Sequence, residues 1–364
     1  MSNKVMRILH ITPRFFPELG GIENVVMNLT SGLIRNGHEV YVLTTTKNKF
    51  EDGMIEKIKG ITVERRYAYS PNNAYFFSPS LGKRVKQLSN NYDVIHAHGY
   101  HSFPAIQAYR NRNNKPFILS TYYHGKSHKK FRNILLKFYK YITKDMVKNS
   151  DGIICISEAE KNLLSSDFFT KKIKVIHVGI EIKYDKINSS LAGKNRLIVM
   201  GRLERYKNVK NVIEIIKEIP EMELDIIGSG PEMDNLNRFV ESLGIKDRVV
   251  FHGFVDEEKK KKIFEKGLCL ITLSDYESFG IVIIEAIANG IPVIASNIGS
   301  HNEIAETLRR GVKIVKKEEK DSMINFLKEL MEKGYIEGQP NINRFRWGEI
   351  IEQYEALYLG IENN

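Results

Sequence analysis

The sequence predicts an α/β protein made of two Rossmann-like parallel-sheet domains, each sheet covered by helices on both faces and the two facing a central cleft. Three observations carry this expectation. Short apolar segments without polar alternation recur between helical patterns along the whole chain, as strands buried on both faces require. A polar stretch, residues 181–195, interrupts that rhythm, after which it restarts. Glycine-bearing turns follow several of the strands, where doubly wound folds place their ligands.

In chain order, the first half reads as strands at 6–12, 39–45, 61–67, 93–97, 117–120, 152–156 and 174–178, with helices such as 22–35 and 129–148 between them. The second half restarts with strands at 196–200, 223–227, 248–251, 268–273, 292–295 and 312–314. One doubly wound domain of 364 residues would be large, so two domains are expected: 1–182, a link at 183–195, and 196–340. Residues 341–364 hold a last helix with apolar Trp347, Ile350, Ile351, Tyr354, Leu357 and Tyr358. That one-sided spacing requires a partner surface.

Composition narrows the class. With 42% hydrophobic and 27% charged residues the chain has the makings of a folded protein. The first residues lack the apolar core and cleavage site of a secretory signal. No run approaches the roughly 18 apolar residues of a membrane span; the greasiest, 279–295, is broken by Glu285, Asn289, Gly290 and Pro292. Cys155 and Cys269 lie in apolar runs and read as small core residues, which fits a reducing compartment. A cytoplasmic protein is expected. Residues 1–180 hold 28 Lys and Arg against 13 Asp and Glu, while the remainder holds 27 against 31. The first half is therefore expected to meet something anionic.

The chemistry-bearing residues sit after strands. Gly20-Gly21-Ile22-Glu23-Asn24 opens the first helix, where two glycines allow a close ligand approach and the helix start offers amides to an anion; a loop that merely needs positive φ would look the same. Gly201-Arg202-Leu203-Glu204-Arg205-Tyr206-Lys207-Asn208 follows the strand at 196–200. Glycine, then cations, then a helix suits a diphosphate, with Arg202 offering a planar fork and Lys207 a point charge; solvated surface cations are the plain alternative. Gly228-Ser229-Gly230-Pro231 is another glycine turn between strand and helix. Glu277-Ser278-Phe279-Gly280-Ile281 leads into a helix that carries Glu285, so two carboxylates bracket a helix start. The amides of Phe279, Gly280 and Ile281 would face an anion there. Glu285 lies in an apolar run, where a carboxylate is costly unless a neighbouring lysine or a ligand pairs with it.

Taken together and in this order, these motifs resemble the large family of retaining, GT-B-fold glycosyltransferases often called family 4. The resemblance covers nearly the whole chain and adds Asp151-Gly-Ile-Ile-Cys-Ile-Ser157 with Glu158-Ala159, His177-Val178-Gly179, His252-Gly253-Phe254 and Trp347 with its helix. It implies a GT-B architecture whose C-terminal helix packs back on the N-terminal domain. It further implies that Arg202 and Lys207 hold the donor diphosphate, Glu285 the ribose, and Glu277 the sugar hydroxyls, with Ser278 and the Phe279–Ile281 amides assisting. The base would lie near Gly253 and Phe254, and Gly21, Gly201, Gly228 and Gly280 would complete the donor side. His124 matches a family histidine that faces the donor sugar. Gly20, Glu23, His98 and Tyr100 fall to the acceptor side. The expected reaction moves a hexose from a nucleotide-diphosphate sugar, UDP ahead of GDP, to a saccharide or lipid-linked acceptor. Retention by front-face attack is implied, without metal or other cofactor.

Gly299-Ser300-His301-Asn302-Glu303 departs from the family's Gly-Gly-x-Pro-Glu, leaving the sugar contacts there open. A Gly-x-Gly-x-x-Gly fingerprint is missing after the first strand, which argues against a nicotinamide enzyme. His96, His98 and His101 cluster, but no carboxylate or cysteine at helpful spacing points to a metal. His124-Gly125-Lys126-Ser127 lacks the earlier glycine of a phosphate loop, since position 120 is Ser. In 126–148 a stripe of Phe131, Ile134, Leu135, Phe138, Ile142 and Met146 is flanked by lysines. It suits either an anionic membrane surface, which would make the protein peripheral on the inner face of the membrane, or a core-packed helix. A GT-B sugar-nucleotide epimerase is the rival enzyme. A basic nucleic-acid-binding protein is the rival of another class, and no interleaved aromatics or binding motif support it.

Overall fold

The computed structural model describes residues 4–18, 20–71, 75–123, 130–170, 172–182, 190–334 and 338–362. The chain forms two compact units: Met1–Gly179 with Trp347–Asn364, and Ile180–Arg346.

In the first unit the order is β1 (Arg7–Thr12), α1 (Gly21–Arg35), β2 (Glu39–Thr46), β3 (Ile55–Ile58), β4 (Ile61–Tyr67), α2 (Leu81–Leu88) and β5 (Val94–His98). It continues with α3 (Phe103–Arg110), β6 (Phe117–Ser120), α4 (Lys130–Lys148), β7 (Gly152–Cys155), α5 (Glu158–Phe168) and β8 (Ile173–Val175). They build an eight-stranded sheet in the order β3-β4-β2-β1-β5-β6-β7-β8. Every pairing is parallel except that of β3 with β4. Strand β3 is absent from the sequence reading. Its four residues, Ile-Glu-Lys-Ile, form neither an apolar run nor an alternation, and its turn onto β4 uses Lys59 at φ 50° and Gly60 at φ 86°. That is a tight hairpin turn with a lysine where asparagine or aspartate would have flagged it.

The second unit runs β9 (Arg196–Met200), α6 (Val209–Glu218), β10 (Glu223–Ile227), α7 (Met233–Ser242), β11 (Val249–Gly253), α8 (Glu257–Lys266) and β12 (Gly267–Thr272). Then come α9 (Ile281–Ala288), β13 (Val293–Ser296), α10 (Gly299–Leu308), β14 (Val312–Val315) and α11 (Lys320–Lys333). Its six strands order as β11-β10-β9-β12-β13-β14, all parallel. Strand order therefore reverses between β1 and β5 in one unit and between β9 and β12 in the other. A doubly wound sheet opens a ligand crevice at the carboxyl ends of such strands.

The last helix, α12 (Trp347–Glu362), belongs to the first unit. Its Ile350, Ile351, Tyr354 and Tyr358 are buried among Met6, Ile8, Leu29, Leu33 and Val94. Burying a side chain of this size is worth about 1.5–3 kcal/mol, so four of them account for the docking. Close approach is built in: a Cβ on Gly32 of α1 would fall 1.9 Å from Ile351 Cδ1, and one on Gly179 2.5 Å from the Trp347 ring.

Candidate active site

Two loops meet at the switch point of the second unit, 201–208 after β9 and 273–280 after β12. They are fastened to each other. Asn208, itself at φ 52°, donates from Nδ2 to the Leu273 carbonyl at 2.8 Å and to Asp275 Oδ1 at 2.9 Å. The Asp275 amide donates to the Tyr206 carbonyl at 2.9 Å, and the Tyr206 and Tyr276 rings stack 4.1 Å apart. Lys317 adds an ion pair to Asp275 at 2.6 Å. Across this joint Lys207 pairs with Glu277, both largely buried, and Glu277 also accepts from Ser274 Oγ at 3.1 Å. Arg202 is 71% exposed and pairs with Glu204 at 3.1 Å. Arg202, Lys207, Gly201 and Thr272 line one pocket.

The departing segment after β13 has work in this joint. Ser296 Oγ donates to the Ser274 carbonyl at 2.6 Å and Ser300 Oγ to the Glu277 carbonyl at 3.0 Å. His301 is buried beneath Gly280, where a Cβ would lie 3.1 Å from its Cδ2. Burial lowers its pKa to about 4, so it is neutral. Gly280, at φ 105°, caps α9, whose first amides lack intrahelical partners. Phe279 turns its ring inward against Phe345, so only its backbone can serve the site; Ser278 is half-buried and Ile281 partly exposed.

Gly228 is a glycine for a packing reason, and Gly201 for its positive φ of 141°. A Cβ on Gly228, at φ 123°, would lie 2.0 Å from the Gly201 carbonyl oxygen, and the Gly228 amide donates to the Gly253 carbonyl at 2.8 Å. After β11, Phe254 is 87% exposed, an open aromatic face at the carboxyl edge of the sheet. Glu285, on α9, meets Lys260 of α8 at 3.4 Å. Its pKa is raised by burial, against the opposing pull of Lys260.

In the first unit Glu23 is buried and accepts an ion pair from Arg14 at 2.8 Å. A Cβ on Gly20 would fall 2.3 Å from Glu23 Oε2, whereas Gly21, at the start of α1, faces open space. His98 and Tyr100, expected on the acceptor side, have no exposed surface. Tyr100 bonds Thr143 at 2.7 Å within the core, and His98 Nε2 lies 3.0 Å from His10 Nδ1. Both placements are packing positions, because strand β5 and the turn after it run beneath the helices. The expected histidine cluster is also recomposed. His10, from β1, joins His96 and His98, their ligand atoms within 4.8 Å of one another, while His101 stacks on Tyr123. His96 bonds Tyr358 and Ser120, each at 2.8 Å, so its two ring nitrogens are engaged within the protein. Burial pushes His10 down to about 3 and lowers His96 and His98 as well.

His124 lies outside the described residues. The backbone leading to it is pinned by Glu160, a buried carboxylate that accepts from Thr121 Oγ1 and the Tyr123 amide at 2.5 Å and the Ile156 amide at 2.7 Å. Sequence reasoning gave no role to Glu160, Lys260 or Ser300, since each acts at least in part through partners remote in the chain. Over residues 137–148 of α4 the buried side chains are Tyr139, Thr143, Met146 and Val147, and Phe138 is 64% exposed, whereas the side chains of Phe131, Ile134 and Leu135 lie outside those described. Tyr139 takes the inward place because its hydroxyl reaches the Tyr100 carbonyl at 2.7 Å. An open groove lined by Lys172, Lys174 and Ile361 lies at the amino ends of β7 and β8, away from these groups.

Residues 19–184 match the family model described as Glycosyltransferase Family 4, and residues 181–347 the model described as Glycosyl transferases group 1. Alpha-monoglucosyldiacylglycerol synthase of Streptococcus pneumoniae is 27% identical over 80% of this chain and 71% of its own length. GDP-mannose:cellobiosyl-diphosphopolyprenol alpha-mannosyltransferase of Xanthomonas campestris is 22% identical over 84% of this chain and 83% of its own. Among solved structures, Anabaena HepE in complex with UDP superposes with a TM-score of 0.73 at 18% identity, covering 98% of this chain and 100% of that one.

Proposed function

The chain belongs to the family 4 glycosyltransferases of the GT-B fold, enzymes that use nucleotide-sugar donors, and from that premise we propose a retaining, metal-independent hexosyltransferase with a lipid-linked or saccharide acceptor. The observation that carries the reading is the joint between the loops after β9 and β12. It sets a cation suited to a diphosphate, Lys207, against a carboxylate suited to sugar hydroxyls, Glu277. The bond that breaks in such a donor joins the sugar to the diphosphate.

In this reading Arg202 and Lys207 take the diphosphate, and the amides at the start of α9 add partial positive charge. Negative charge grows on the diphosphate as the bond breaks, so groups aimed there stabilise the transition state more than the ground state. The acceptor hydroxyl attacks the face the diphosphate leaves, and a diphosphate oxygen takes its proton. Glu277 grips sugar hydroxyls, Glu285 the ribose, and Phe254 offers its face to the base. His124, outside the described residues, is assigned to the donor sugar by its match to the family histidine. UDP is favoured over GDP: HepE was solved with UDP, although the Xanthomonas relative is named for GDP-mannose.

Both curated relatives carry a lipid in their names, a diacylglycerol and a diphosphopolyprenol. No helix among the described residues is long and apolar enough to cross a membrane. The exposed side of α4 sets Phe138 and Tyr141 among Lys137, Lys144 and Lys148, which suits an anionic surface at the cytoplasmic face of a membrane. The donor assignment is tested by thermal-shift titration with UDP, GDP and ADP on the wild type and Arg202→Ala. A ligand bound only by the folded state raises its stability, by about 2.7 kcal/mol at a hundredfold excess over Kd. One nucleotide stabilising the wild type and losing that effect in the variant is the expected result; equal stabilisation of both would remove Arg202 from the site.

A further inference from the structure

The run Lys259–Lys260–Lys261–Lys262 on α8 is exposed at three of its four positions. Lys260 alone turns inward, with 17% of its side chain exposed against 51% for Lys261 and 68% for Lys262. Its ammonium lies 2.8 Å from Glu257 Oε1 and 3.4 Å from Glu285 Oε1. Glu257 is 88% exposed and one helical turn away, a pairing of small worth. Glu285 is different: it sits between buried Ile283, Ile284 and Ile287 of α9, with 26% of its side chain exposed. An ionised carboxylate so placed is costly without a counter-charge.

We propose that Lys260 is a positioning residue for the nucleoside end of the donor, holding the Glu285 carboxylate in place as the acceptor for the ribose hydroxyls. The proposal rests on the reading of Glu285 as the ribose ligand. A vicinal diol donates two hydrogen bonds, and a carboxylate receives both only while it is ionised and held in one rotamer. Lys260 acts on both conditions from a neighbouring helix, without touching the ribose. The charged groups that act on Glu285 are Lys260, which favours the carboxylate, and Glu257, which opposes it, both from α8. Burial raises the Glu285 pKa, and removing Lys260 raises it further.

The test is calorimetric binding of UDP, GDP and ADP, each beside its 2′,3′-dideoxy counterpart, to the full chain across acid to neutral pH. Four proteins are compared: the wild type, Lys260→Met, Lys260→Arg and Glu285→Gln. Lys260→Met is expected to weaken the ribonucleotide roughly tenfold or more, the scale of one hydrogen bond to a charged group, and to leave the dideoxynucleotide nearly unchanged. Lys260→Arg restores most of the difference. The acid-side loss of ribonucleotide affinity starts at higher pH in Lys260→Met than in the wild type. Equal weakening of both nucleotides, as a merely structural ion pair would produce, overturns the proposal, and so does no weakening. If Glu285→Gln keeps the full preference for ribose, the reading of Glu285 itself fails and the proposal with it. If Glu285→Gln abolishes that preference while Lys260→Met keeps it, only the proposal fails.

Discussion

Replacing Gly228 by alanine measures how rigidly the donor-side loops are joined. At φ 123° the new Cβ would lie 2.0 Å from the Gly201 carbonyl oxygen and 2.9 Å from its carbon. Real Cβ contacts keep at least 3.0 Å, so the turns after β9 and β10 must part by about 1 Å. Both obstructing atoms are backbone, and no side-chain rotation relieves them. Overpacking of this kind costs about 1–3 kcal/mol and the positive φ about 1–3 more, together about 2–6 kcal/mol. For a unit of this size that lowers the melting temperature by on the order of 10 °C. The movement also displaces Arg202, so nucleotide affinity falls with it. Gly253→Ala is the control: its φ is 64° but a Cβ there meets nothing within 4 Å, leaving only about 1–2 kcal/mol of strain. Thermal unfolding followed by circular dichroism, with nucleotide binding by calorimetry, reads both quantities. If Gly228→Ala melts no lower than Gly253→Ala and binds nucleotide as the wild type does, the close contact of the two turns does not constrain the site.

Three further outcomes are expected. Transfer activity is expected to survive excess EDTA, since the proposed mechanism has Arg202, Lys207 and the α9 amides meet the diphosphate charge; loss restored by added Mg²⁺ would overturn the metal-free chemistry. Vesicles rich in anionic lipid co-sediment the protein at low salt, and Phe138→Ser with Lys144→Glu releases it; unchanged binding in that double variant would clear α4 of the role. Acid destabilises the fold through the buried histidines. His10 stays neutral down to about 3 in the folded chain. The unfolded chain protonates it below about 6.5, so stability is full above that pH and falls by about 1.4 kcal/mol per unit as pH drops toward 3. His10→Gln should show a shallower pH slope of unfolding free energy between about 6 and 4, and an unchanged slope would refute the assignment.

Much of the fold was legible because buried parallel strands announce themselves. The apolar runs at 196–200 and 223–227 agree with β9 and β10 to the residue. Strand β3 was not legible, since Ile-Glu-Lys-Ile shows neither an apolar run nor an alternation and its Lys59-Gly60 turn lacks the usual residues. In α4, helical spacing put Phe138 on one apolar stripe with Ile142 and Met146 and could not say whether that stripe faced a membrane or the core. The aromatic with a polar tip, Tyr139, packs inward, since a tyrosine can be buried when a core carbonyl waits for its hydroxyl. The resemblance placed His98 and Tyr100 on the acceptor side, yet neither side chain has exposed surface, and local sequence carries no mark of that burial.

By itself, the sequence determined what local patterning can encode: two successive doubly wound sheets, the glycine turns at their carboxyl ends, the carboxylates around α9, and the family they jointly signal. Only the tertiary structure decided partnership. It paired Lys207 with Glu277 and Glu285 with Lys260, drew His10 from one strand to His96 and His98 of another, and set Ser300 and His301 beneath the Glu277 loop. The reason is physical. Burial and charge pairing depend on which elements lie side by side once strand order is set, and residues 23 to 88 positions apart along the chain carry no local mark of that meeting.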